Sequence, residues 1–147
     1  SVLITDIPLI AAKSQYIKVF GKPISRKEIS KRPLPNRRKT RNLNGPFYEY
    51  SFPGISFLGN KDTLIFNRID FKELESEVIL RFPGFELSSN TPIRNLCREL
   101  PQSCKMALGG GYSWSGIITV KSEYNYMVWH FIVIRGQVSK IDLFVGY

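Results

Sequence analysis

Three stretches near the end of the chain leave little choice but β-structure: "YSWSGIITVKS" (112–122), "YMVWHFIVIRG" (126–136) and "QVSKIDLFVGY" (137–147). Each is rich in β-branched and aromatic residues, and turn residues separate them at Glu123 to Asn125 and at Arg135-Gly136. In strict alternation Met127, Trp129, Phe131 and Val133 take one face of the middle strand. Val128, His130, Ile132 and Ile134 take the other. A chain that ends this way needs an apolar layer to cover at least one sheet face.

The earlier part of the chain supplies candidates. "DIPLIAAKSQYIKVFGKP" reads as a first helix, capped by Asp6, with Leu9, Ala12, Tyr16, Val19 and Phe20 at near-helical spacing and Gly21 and Pro23 ending it. "PFYEYSFPGISFLGNKDTLIFNRIDF" alternates with turns at Pro53-Gly54 and Gly59-Asn60, predicting three strands. "EVILRFPGFELSSN" follows as a strand pair or one bent strand. "NTPIRNLCREL" is a second helix, with Asn90 or Thr91 as N-cap and Pro92 in its first turn. "YSFPGISFLGN" (50–60) and "LRFPGFELSSN" (80–90) echo each other at Phe-Pro-Gly and the final Asn. The expected architecture is an α+β single domain over 1–147, an antiparallel sheet with two helices on one face. It reads as a tandem helix-βββ repeat, about 1–75 and 76–147. The second sheet face is left open unless something covers it.

Charge is concentrated in one place. Between Lys22 and Arg41 stand nine basic side chains against one acid, Glu28, a net of +8 in a chain whose total is +9. Pro33 and Pro35 punctuate this stretch, so residues 22–46 read as a basic loop inserted between helix and sheet. Phosphate binding needs only such cations, but the stretch lacks the aromatic platforms of single-strand binders and no nucleic-acid motif accompanies it. Its prolines disfavour the amphipathic helix of a membrane-surface segment. A docking arm for an acidic protein partner fits better, because a clustered field speeds encounter without ordered structure. A merely solvated loop is the plainer alternative.

Cys97 and Cys104 would lie about 10 Å apart along an unbroken helix, too far to bond. Pro101 between them lets the chain fold back. A local disulfide then becomes possible and would imply an oxidising compartment such as the periplasm; the alternative is two unpaired thiols near a helix end. Zinc is disfavoured, since no second cysteine pair exists and His130 is the sole histidine.

No nucleophile–base set presents itself, and His130 in a strand reads as a packed residue. "GGGYSWSG" (109–116) lacks the Lys-Ser/Thr ending of a phosphate loop and the glycine spacing of a nucleophile elbow. It reads as a glycine-flanked loop presenting Tyr112 and Trp114 as aromatic contacts. Glu73, Glu75 and Glu77, on an alternating strand, would share one face as a cation site or, more simply, as a solvated edge. No apolar run approaches the roughly 20 residues of a membrane span. The chain opens at Ser1 rather than Met, and a signal peptide is expected to have been removed, unless the chain was trimmed there.

"YIKVFGKP", "FYEYSFPGISF" and "FELSSNTPIRNLCRELPQS" together resemble small secreted bacterial proteins built from helix-plus-sheet repeats. The beta-lactamase inhibitory protein, the outer-membrane assembly protein BamE and periplasmic immunity proteins of type VI or contact-dependent toxin systems share that architecture. The resemblance implies a non-enzymatic inhibitor that needs no cofactor and neutralises a cognate toxin enzyme in the periplasm. An envelope assembly module or a basic nucleic-acid-binding protein are the alternatives. The residues expected to meet the acidic partner are Arg26, Lys31, Arg32, Arg37, Arg38, Arg41, Tyr112 and Trp114.

Overall fold

The computed structural model describes residues 2–30, 43–89, 91–104, 114–122 and 127–145, the side chains of 144–145 excepted. The chain runs β1 (Leu3–Ile4), β2 (Ile7–Pro8), β3 (Ile10–Ala12), α1 (Lys13–Phe20), β4 (Ser25–Ile29), β5 (Phe47–Phe52), β6 (Ile55–Gly59) and β7 (Thr63–Asp70). A 3-10 turn (Phe71–Glu73) then leads to β8 (Leu80–Phe82), β9 (Phe85–Leu87), α2 (Ile93–Glu99), β10 (Gly116–Lys121), β11 (Met127–Ile134) and β12 (Gln137–Val145). The protein is α+β, with antiparallel sheets throughout.

The large sheet has eight strands in the order β10-β11-β12-β7-β6-β5-β4, with β3 added beside β7. Two consecutive meanders, β5-β6-β7 and β10-β11-β12, meet where β7 pairs with β12. The small sheet has the order β2-β1-β8-β9. It joins the N-terminal hairpin to the middle of the chain, since β1, from residues 1–75, pairs with β8, from residues 76–147.

One face of the large sheet is the core. Tyr50, Phe57, Phe66, Trp129, Phe131 and Ile141 are all buried, and alternation along β11 divides that strand as the sequence predicts. The cover includes a small sheet as well as the two helices. α1 lies over the β5–β7 region, where the Tyr16 ring meets Phe57 at 4.2 Å and Phe20 meets Phe52 at 5.8 Å. Over β11 the small sheet takes the place of a helix, with Phe82 set edge-on to Trp129 at 5.1 Å. α2 follows the small sheet, and its Ile93 amide donates to the Gly136 carbonyl of the β11–β12 turn.

The first helix starts six residues later than its sequence suggests. Residues 7–11 obey a period of two, with Ile7, Leu9 and Ala11 buried and Pro8 exposed. Six residues with so many apolar positions satisfy either period, and pairing of β3 with β7, over fifty residues away, selects the strand. Asp6 is therefore no helix cap. It sits at φ +69 in the β1–β2 turn, and its carboxylate pairs with Arg81. Pro8 falls on the outermost strand of the small sheet, where its missing N–H costs no ladder bond. Of the two capping candidates for α2, Asn90 lies outside the described residues; Pro92 is the N-cap residue, and the Thr91 hydroxyl accepts the Ser88 amide instead.

Candidate partner-binding edge

The basic stretch is not wholly a loop. Residues 25–29 form β4, the outermost strand of the large sheet, and pair with β5 in the register Arg26↔Tyr50, Lys27↔Glu49 and Glu28↔Tyr48. No proline interrupts these five residues, so the constraint from Pro33 and Pro35 begins only after them. "SRKEI" carries no apolar alternation, because all of its side chains but that of Ile29 are exposed. Its strand state comes from the β5 ladder rather than from burial.

Arg26 is the best-positioned cation on this edge. Its guanidinium carbon lies 4.5 Å from the centroid of the Tyr48 ring, a cation–π contact that orients the planar group. On the neighbouring ring, Lys13 Nζ stands 5.2 Å from the Tyr50 centroid. Tyr50 is buried, and its hydroxyl donates to the Asn60 carbonyl at 2.9 Å. Burial pushes the Tyr50 hydroxyl above its ordinary value, and the nearby Arg26 charge offsets part of that rise.

Beside Arg26 and Tyr48 opens a cleft of about 660 Å³, completed by Asn44, Lys61, Asp62 and Thr63. Its rim is built around Asn60. The Asn60 Oδ1 accepts the amides of Asp62 and Thr63, each at 2.8 Å, and Nδ2 donates to the Asn44 carbonyl at 3.1 Å. Gly59 is required here, since a Cβ would stand 1.9 Å from the Thr63 carbonyl oxygen. β4, which contributes Arg26 to the cleft, leads into the basic arm, and residues 43–46, which also line the cleft, lead out of it.

The other expected contact residues divide sharply. Lys31, Arg32, Arg37, Arg38, Arg41 and Tyr112 lie outside the described residues. Trp114 is half-buried, packed against Gly116 so closely that a Cβ there would meet its ring at 2.6 Å. Its carbonyl accepts the Gly136 amide at 2.9 Å. Trp114 thus precedes β10, at one end of the large sheet, while Arg26 lies on β4 at the other. The two are not brought together.

Cys97 and Cys104 form the disulfide, with Cα atoms 5.5 Å apart. α2 ends at Glu99 just before Pro101, which returns the chain as the proline requires. His130 lies on the outer face of β11, opposite Thr119 and Asp142. Glu73, Glu75 and Glu77 are not on a strand: Glu73 ends the 3-10 turn, and irregular chain carries the other two. Among the described residues no group of three His, Cys, Asp or Glu side chains gathers to hold a metal.

Alternation did flag one feature that no motif would. The outer face of the sheet keeps Ile117 at 57% and Ile134 at 40% exposure. No helix among the described residues is long and apolar enough to cross a membrane. The chain matches no protein-family model, no curated protein and no solved structure.

Proposed function

We propose that the protein is an inhibitor of the immunity class, which binds an acidic surface of a cognate toxin enzyme in an oxidising compartment such as the periplasm. The observation that carries this reading is the basic edge strand. β4 ends the large sheet, displays Arg26 and Lys27, and leads directly into a stretch containing six further cations before residue 42. A charged, rigidly rooted edge favours fast, selective encounter with an acidic partner, and the stacking of Arg26 on Tyr48 reduces the rotamer freedom lost on docking. The disulfide supports the choice of compartment.

The test uses the proteins encoded by the genes on either side of this chain's own gene, each produced in the periplasm, one of which should act as the toxin. Cells producing that toxin should survive when the chain is co-produced. Replacing Arg26, Arg37 and Arg38 by Glu should abolish protection and slow association at least about tenfold at low salt. Full protection by the charge-reversed protein removes the edge as the docking surface. Failure of the wild-type protein to bind the toxin removes the inhibitor reading.

A further inference from the structure

A second site lies at the turn between β11 and β12, far along the sheet from β4. Arg135 and Gly136 both occupy the left-handed region, with φ of +50 and +76. Such two-residue turns favour Asn or Gly at the first position, and arginine there costs about 1–2 kcal/mol. The turn places Arg135 at the side of an open cleft of about 690 Å³, together with Phe71, Lys72, Ile134, Val138 and Ser139. That volume lies in the range of small-molecule sites, roughly 300–1,000 Å³.

Two features of the cleft lack polar partners among the described residues. Ser139 is only 8% exposed, yet its hydroxyl has no hydrogen-bond partner among the described residues. It is the extra residue of a β-bulge, because Val138 pairs with Val133 and Lys140 with Ile132. Lys72 and Arg135, both exposed, make no ion pair among the described residues. The neighbouring Arg68 and Lys140, by contrast, are paired with Asp142 and Asp70. The buried Phe71 and Val138 supply apolar wall beside these polar groups.

We propose that this cleft binds a small organic acid, its carboxylate held by Lys72, Arg135 and Ser139 and its apolar body lying on Phe71, Ile134 and Val138. Bidentate arginine suits a planar carboxylate, and the apolar wall selects against inorganic anions. The site is independent of the partner-binding edge, and its test involves no partner.

The intact ¹⁵N-labelled protein is titrated by NMR with benzoate, benzamide and phosphate. Benzoate should move the amides of residues 71–72 and 134–139, while benzamide and phosphate leave them in place. Arg135→Asn, which suits the left-handed turn, should weaken benzoate about tenfold. Ser139→Ala should weaken it without lowering the melting temperature, whereas a purely structural hydroxyl would do the reverse. Equal responses to benzoate and benzamide, or undiminished benzoate affinity in Arg135→Asn, would overturn the site. An N-acetylated peptide with a free C-terminal phenylalanine that binds tenfold tighter than benzoate would overturn the assignment to a free acid.

Discussion

Two hairpins in this protein share the tripeptide Phe-Pro-Gly and use it differently. In the first, Phe52 and Ile55 face each other across the Pro53-Gly54 turn and are 4% and 2% exposed. In the second, Phe82 and Phe85 face each other across Pro83-Gly84, stack at 4.8 Å and remain only half-buried. Proline sets the backbone of the first turn position and glycine supplies the positive φ of the second, +75 at Gly54 and +91 at Gly84. Local chemistry therefore makes the same turn twice. What surrounds each turn decides its weight: the Gly54 carbonyl accepts the Asp70 amide and its Cα faces the backbone at Leu74, whereas Gly84 meets only the end of the Glu99 side chain.

This contrast can be broken by substitution. Phe52→Ala should cost about 4 kcal/mol, since it empties a core position between Phe20 and Phe57. Phe85→Ala should cost about 1 kcal/mol, mainly its stack on Phe82. Chemical denaturation measures both, and equal losses would end the distinction.

The glycines sharpen it further. A Cβ at residue 54 would stand 2.6 Å from the Leu74 amide nitrogen, backbone that cannot step aside. Gly54→Ala should cost about 3 kcal/mol from overpacking and left-handed strain together. At Gly84 the nearest atom is a carboxylate oxygen 3.2 Å away, free to swing, so Gly84→Ala should cost about 1 kcal/mol, the strain alone. If the two melting temperatures fall by the same amount, packing around the first turn is not what matters.

The last effect is absent at neutral pH and shows only in alkali. Burial holds the Tyr16 hydroxyl well above its ordinary value, and it donates to the Pro8 carbonyl. The unfolded chain ionises this group near pH 10, while the folded protein keeps it protonated. Its contribution is complete below pH 10 and is lost as pH rises, at up to about 1.4 kcal/mol per pH unit. Tyr16→Phe should flatten that alkaline decline. Tyr50, raised for the same reason, should leave a residual slope.

Much of the framework was legible because it is local. β5 to β7 and β10 to β12 carry alternation plus turn residues, and their positions agree with the strands observed. The disulfide was legible because Pro101 interrupts the helix between the two cysteines. β3 was not, since six apolar-rich residues fit two periods. β4 was not, since Ser25–Ile29 has no apolar face to announce it. The Ser139–Arg135 cleft gave no sign at all, because its walls come from the 3-10 turn after β7, the segment after β9, the end of β11 with its turn, and β12.

The sequence by itself determined the strand-turn units, the α+β class, the second helix, the place of the disulfide and the concentration of charge. Each follows from residues within about ten positions of one another, where periodicity, proline and glycine act directly. Tertiary structure decided that a small sheet rather than a helix covers β11, that the N-terminal segment pairs with β7, and that part of the basic stretch becomes an edge strand. Those choices depend on hydrogen bonds and apolar contacts between distant segments, and a residue's own neighbours carry no record of them.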